Sequence, residues 1–153
     1  MKFYVSARTA KANEVKEMYK KIRERGNFIS FDWTEAKDLR RSFNQNPEIA
    51  RKYAGKIIRA IKNSDIFVMI SDKEDTDIYG ELASAISFNI DYKKPEIFVL
   101  GDNISQSIFP HHSSVIYRDN IEEVLNLIES NPFVIRRKVI DNVLNEVERI
   151  RRK

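Results

Sequence analysis

Short apolar runs alternate along the chain with longer stretches that are apolar on one helical face only. Lys2 to Ser6 reads as a first strand, and Ala10 to Arg25 as a helix with Val15, Met18, Tyr19 and Ile22 on its inner face. Gly26 closes that helix. Phe28 to Trp33 reads as a second strand, and Thr34 to Asn46 as a polar loop with room for one helical turn. Pro47 opens a helix to about Asn63, with Ile49, Tyr53, Ile57, Ile58 and Ile61 turned inward. Ile66 to Ile70 is apolar at every position, as strands covered on both faces are. After the acidic loop Ser71 to Asp77 comes a helix, Ile78 to Tyr92, with Leu82, Ala85, Ile86 and Asn89 at helical spacing. Glu96 to Leu100 is a fourth strand closed by Gly101, and Val115 to Tyr117 a short fifth strand after the loop Asp102 to Ser114. Asn120 caps a helix that runs through Ile121, Val124, Leu125 and Ile128.

Strands that alternate with helices predict an α/β domain with a parallel sheet and helices on both faces. Five strands predict the flavodoxin-like order 2-1-3-4-5. Residues 1–130 form that domain. Residues 131–153, beginning at Asn131-Pro132, read as a C-terminal amphipathic helix and possible appendage. There Ile140, Val143, Val147 and Ile150 follow 3-4-3 spacing, two turns of a heptad seam. Such a seam packs either on its own sheet or on a second copy of the chain, and the homo-oligomer is the expectation.

Composition narrows the chemistry. The chain has 153 residues and no Cys, so there is no disulfide framework, thiolate zinc site or Cys nucleophile. No apolar run approaches the ~20 residues of a membrane helix, and Met1-Lys2 leads straight into a strand, so the cytoplasm is the expected location. Net charge is +4. Arg136, Arg137, Lys138, Arg149, Arg151, Arg152 and Lys153 carry much of the excess. With no aromatic residues interleaved to stack on bases, these read as solvated helix ends rather than a nucleic-acid surface.

In an open parallel sheet, ligands bind beyond the carboxyl ends of the strands. That rule selects Ser6 and Arg8 after strand one, and Asp32 and Trp33 after strand two. It selects Ser71, Asp72, Asp75, Asp77 and Glu81 after strand three, and Gly101, Asp102 and Asn103 after strand four. Asp65 and Lys94 fall at the opposite edge, and Asp65 reads as structural. Glu81 is expected in the first turn of its helix, where the dipole favours a carboxylate. There it either completes a helix start or attacks an electrophilic sugar carbon, while a nearby aspartate handles the leaving group's proton. The guanidinium of Arg8 suits a phosphate or a ribose at the mouth of such a site. The acidic loop lacks the Asp-x-Asp-x-Asp-Gly order of a calcium hand, and the adjacent His111 and His112 point apart. No Gly-rich phosphate loop is present, so no metal or cofactor is expected.

The stretch Ser64-Asp65-Ile66-Phe67-Val68-Met69-Ile70, the acidic loop, Gly80-Glu81-Leu82-Ala83, and Lys94-Pro95 with the strand to Gly101 resemble the nucleoside 2-deoxyribosyltransferase-like family. Ile108-Phe109-Pro110-His111-His112, Val115 and the helix after Asn120 extend the resemblance, which covers most of Lys2 to Ile128. It implies that Glu81 is the nucleophile, that Asp75 contacts the ribose, and that Tyr4 orients the glutamate. It implies a covalent sugar–enzyme intermediate, a small-molecule nucleoside or nucleotide substrate, and sites built at subunit interfaces. The chain differs in having Ser6-Ala7-Arg8 where a Gly-rich turn is common, and Ile57 near the place of a base-binding aspartate. TIR domains are also similar, through Phe3-Tyr4-Val5-Ser6, Ser64, and Ser71 to Tyr79 followed by Glu81-Leu82. That resemblance implies either cleavage of the nicotinamide–ribose bond of NAD or a non-enzymatic interaction module.

Overall fold

Alternation and apolar runs decide where each element lies. The computed structural model of the chain describes residues 1–36, 46–72, 77–101 and 107–130. In chain order they form β1 (Lys2–Ser6), α1 (Ala12–Glu24), β2 (Phe28–Ile29), α2 (Pro47–Lys62) and β3 (Ile66–Ile70). There follow α3 (Asp77–Tyr92), β4 (Glu96–Leu100), β5 (Val115–Arg118) and α4 (Ile121–Ser130). Among the described residues the five strands make one sheet in the order β2-β1-β3-β4-β5, every pair parallel. This is the flavodoxin-like order.

All five residues of β3 are buried, as its unbroken apolar run requires of a central strand. The chain moves from β1 to β2 in one direction and from β3 to β4 in the other. Right-handed crossovers therefore set α1 on one face and α2 and α3 on the opposite one. Arg25 ties α4 to α1, donating to Glu129 at 2.6 Å, Glu122 at 2.9 Å and Asn126 at 3.0 Å. At the amino edge of the sheet Asp65 is structural, as expected. Its Oδ2 accepts from the Lys2 N–H at 2.8 Å, its own N–H donates to Lys2, and its carbonyl accepts from Glu96.

Four expectations change. The second strand is Phe28–Ile29 rather than Phe28 to Trp33. Asp32 caps a 3₁₀ turn, Trp33–Glu35, by accepting from the Thr34 N–H at 3.2 Å, and that local bond draws the backbone off the ladder. Ile58 does not join the core, and Ile57 only flanks it. Ile57 is half-buried and Ile58 is 41% exposed, because both face a cleft between α2 and α3. The third helix begins at Asp77, so Glu81 stands in its second turn, beyond the reach of most of the dipole's effect. The loop before β5 contains a 3₁₀ turn, Phe109–His111, that packs on α3. Residues 131–153, with the predicted heptad seam, lie outside the described residues. Among the described residues, no helix is long and apolar enough to cross a membrane.

Candidate active site

The pleat of β1 turns Phe3 and Val5 to one side of the sheet and Tyr4 and Ser6 to the other. Tyr4 lies on the α3 side. Its ring stacks on Phe67, centroids 6.0 Å apart, and its hydroxyl donates to Glu81 Oε2 at 3.1 Å. Burial first, and then the Glu81 charge, hold the Tyr4 hydroxyl well above the ordinary tyrosine range. Tyr4 therefore stays protonated at neutral pH and keeps a donor on the carboxylate.

Ser6 lies one pleat nearer the carboxyl edge on the same side. It is fully buried, and its Oγ finds no partner among the described residues. An unpaired buried hydroxyl costs about 1–3 kcal/mol, so its place at the carboxyl end of β1 is informative. The ends of β1 and β3 flank the point where the direction of the chain's crossovers reverses, the usual ligand position in this class of sheet. Arg8 stands 4.0 Å from Asp72, and Lys11 Nζ donates to the Ser71 carbonyl at 3.4 Å. Ser71 is buried, with its N–H on the Leu100 carbonyl. The neighbouring Gly101 has φ +91°, and a Cβ there would stand 3.2 Å from Ser71 Oγ, so only glycine suits the position.

A cleft of about 310 Å³ opens between α2 and α3. Ala50, Tyr53, Ala54, Ile57 and Ile58 form its α2 wall, and Asp77, Gly80 and Glu81 its α3 wall. The wall from α2 is largely apolar, while the wall from α3 carries two carboxylates on successive turns. Among the described residues, no group of three His, Asp or Glu side chains could hold a metal ion. His112 turns to Ser114, its Nδ1 2.9 Å from that hydroxyl.

The fold thus leaves Ser6, Arg8 and Ser71 at or just beyond the carboxyl ends of β1 and β3, and brings Glu81 and Asp77 to the cleft, with Tyr4 bonded to Glu81. It does not bring Trp33 there. That indole is buried and donates to the Val5 carbonyl at 2.7 Å. Asp75 and Asp102 lie outside the described residues. Sequence reasoning missed Lys11 and the α2 wall. Ala50 and Ala54, small residues four apart, were the available signal that something approaches α2 closely.

No family model matches the chain, and no curated protein matches it. Among solved structures it is similar to the CMP N-glycosidase BcmB of Clostridium botulinum. Identity is 17%, the match covers 84% of this chain and 98% of that one, and the TM-score is 0.50. At this identity the likeness is one of fold.

Proposed function

We propose that this protein cleaves or transfers at the N-glycosidic bond of a nucleoside or nucleotide, with Glu81 as the nucleophile. The observation that carries the reading is the hydrogen bond from the buried Tyr4 to Glu81 on the wall of an open cleft. A carboxylate held in one orientation beside a sugar-sized space is equipped to attack an anomeric carbon or to offset a developing sugar cation. The fold-level likeness to a CMP N-glycosidase supports the same reaction class.

In this reading Tyr4 fixes the glutamate. Ser6, Arg8, Ser71, Asp77 and Asp102 surround the substrate, with Asp75 on the ribose. The Ser6 hydroxyl, without a partner among the described residues, supports a polar ligand at the carboxyl ends of β1 and β3. Trp33 acts from behind β1 by supporting the strand end rather than by touching substrate. The resulting sugar ester passes to water or to a second base. The protein works as a homo-oligomer, which sedimentation velocity checks.

An NAD glycohydrolase would use the same glutamate and the same bond type, so NAD belongs in the substrate panel. A pure interaction module would be favoured by a cleft filled with Trp33 or Tyr79. Trp33 is instead bonded to Val5 and Tyr79 to the Asp72 carbonyl at 3.2 Å, which leaves the cleft open.

The deciding experiment measures base release from deoxynucleosides, nucleotides and NAD by wild type and Glu81→Gln. The amide keeps the shape and cannot attack carbon, so turnover falls by about 10³-fold or more. A variant as active as wild type refutes the assignment.

A further inference from the structure

Asp77 is the first residue of α3 and Glu81 stands four residues later, so both project from one face of the helix. Both line the α2–α3 cleft, with Gly80 between them. Residues four apart set their Cβ atoms about 5–6 Å apart. Glycosidases that work through a covalent sugar ester hold their two carboxyl groups ~5–5.5 Å apart, a separation that Asp and Glu side chains on neighbouring turns can span. The two carboxylates also have different surroundings, and that divides the roles. Glu81 is half-buried and accepts from a buried tyrosine, while Asp77 is exposed at the outer end of the same wall. Opposite them, Ala54, Ile57 and Ile58 give a flat heteroaromatic ring an apolar surface to lie on.

Building on the reading of Glu81 as nucleophile, we propose that Asp77 is the catalytic acid and base of the reaction, and that the departing base sits on the Ile57–Ile58 wall. A Glu81 carboxylate oxygen bonds to the anomeric carbon as the carbon–nitrogen bond breaks. The electron pair of that bond goes to the base, and the Asp77 proton goes with it, so the base leaves neutral. In the second half a water molecule adds to the anomeric carbon and gives its proton to the Asp77 carboxylate. The Glu81 ester oxygen then leaves as carboxylate.

A general acid matters only when the leaving group needs a proton. The test compares wild type, Asp77→Asn and Glu81→Gln on two substrates. One is the best neutral-base substrate from the panel. The other is the same compound methylated on a ring nitrogen, whose cationic base departs without protonation. Asp77→Asn should lower kcat on the neutral base by about 10²–10⁴-fold, and by at least tenfold less on the methylated one. Glu81→Gln should lower both alike. Equal losses on the two substrates in Asp77→Asn, or no loss on either, overturn the role of Asp77 alone. Wild-type protein inert on every substrate overturns the reading of Glu81 and this inference with it. Circular dichroism of both variants separates a chemical effect from misfolding.

Discussion

Replacing Gly80 with alanine should make the protein more stable and less active. Gly80 lies inside α3, where glycine is worth about 0.8–1.0 kcal/mol less than alanine. Its φ is not in the positive range; among the described residues only Gly26 and Gly101 are glycines of that kind. A Cβ built at Gly80 meets nothing within 4 Å, so the methyl group adds helix propensity without a clash. The space it enters, however, borders the cleft that Gly80 itself lines. For a chain of this size, ~1 kcal/mol corresponds to a rise in Tm of about 2–4 °C. Gly55→Ala is the matched control. It sits inside α2, away from the cleft lining, and its Cβ would be 3.5 Å from the Arg59 guanidinium, an ordinary contact. Thermal unfolding followed by circular dichroism should show a similar rise for both variants. Steady-state kinetics should show kcat/KM falling for Gly80→Ala and holding for Gly55→Ala. A fall in Tm for Gly80→Ala would refute the packing argument. A rise in Tm with kcat/KM intact would separate the cleft from the chemistry.

Tyr4→Phe keeps the ring on Phe67 and removes the hydrogen bond to Glu81. A bond to a charged group is worth about 1.5–3 kcal/mol, so kcat should fall by roughly 10–100-fold, and an unchanged kcat would remove the positioning role. Stability should decline in alkali because Tyr4 and Tyr19 are held above the ordinary value of 10.0, in both cases through burial first. The unfolded chain releases these protons near pH 10 while the folded chain keeps them, so this contribution is complete below pH 10 and shrinks as pH rises beyond it. Each tyrosine contributes a slope of about 1.4 kcal/mol per pH unit. Tyr19→Phe should lower the slope of unfolding free energy between about pH 10 and 11.5 in urea titrations, and equal slopes would refute burial as the cause.

The parts of the fold that could be read from the chain are those where one physical rule acts alone. The unbroken run Ile66 to Ile70 admits only a doubly covered strand, and the strand–helix alternation leaves few orders for the sheet. The second strand was misjudged because Ser30 and Asp32 offer the backbone side-chain partners. Ser30 Oγ donates to the Phe3 carbonyl and Asp32 caps the next turn, and neither bond shows in an apolar pattern. On α2, periodicity could not separate a residue facing the core from one facing a cleft. Ile61 is fully buried and Ile58 is not, although both sit on the apolar side of the helix. Glu81 was singled out by strand-edge position and by resemblance, Tyr4 by resemblance alone, and their contact spans 77 residues of sequence. The start of α3 was placed one residue late, at Ile78 rather than Asp77. That one residue moves Glu81 out of the first turn and puts Asp77 into it.

Stability and chemistry are assigned to different faces of the same helix. Ile78, Leu82, Ala85 and Ile86 bury one stripe of α3 against the sheet, and they hold its axis in place. Asp77, Gly80 and Glu81 form the adjacent stripe, which faces the cleft and contributes little to the core. Tyr4 joins the two stripes through β1, whose register against β3 pairs it with Phe67. A slip of one residue in that pairing would turn Tyr4 to the α1 side and leave Glu81 without its donor. The Tyr4–Glu81 contact therefore rests on a central strand pairing, one of the most rigid features of such a sheet. Substitutions on the cleft stripe should change turnover with little effect on folding, while those on the buried stripe should unfold the protein before they alter its chemistry.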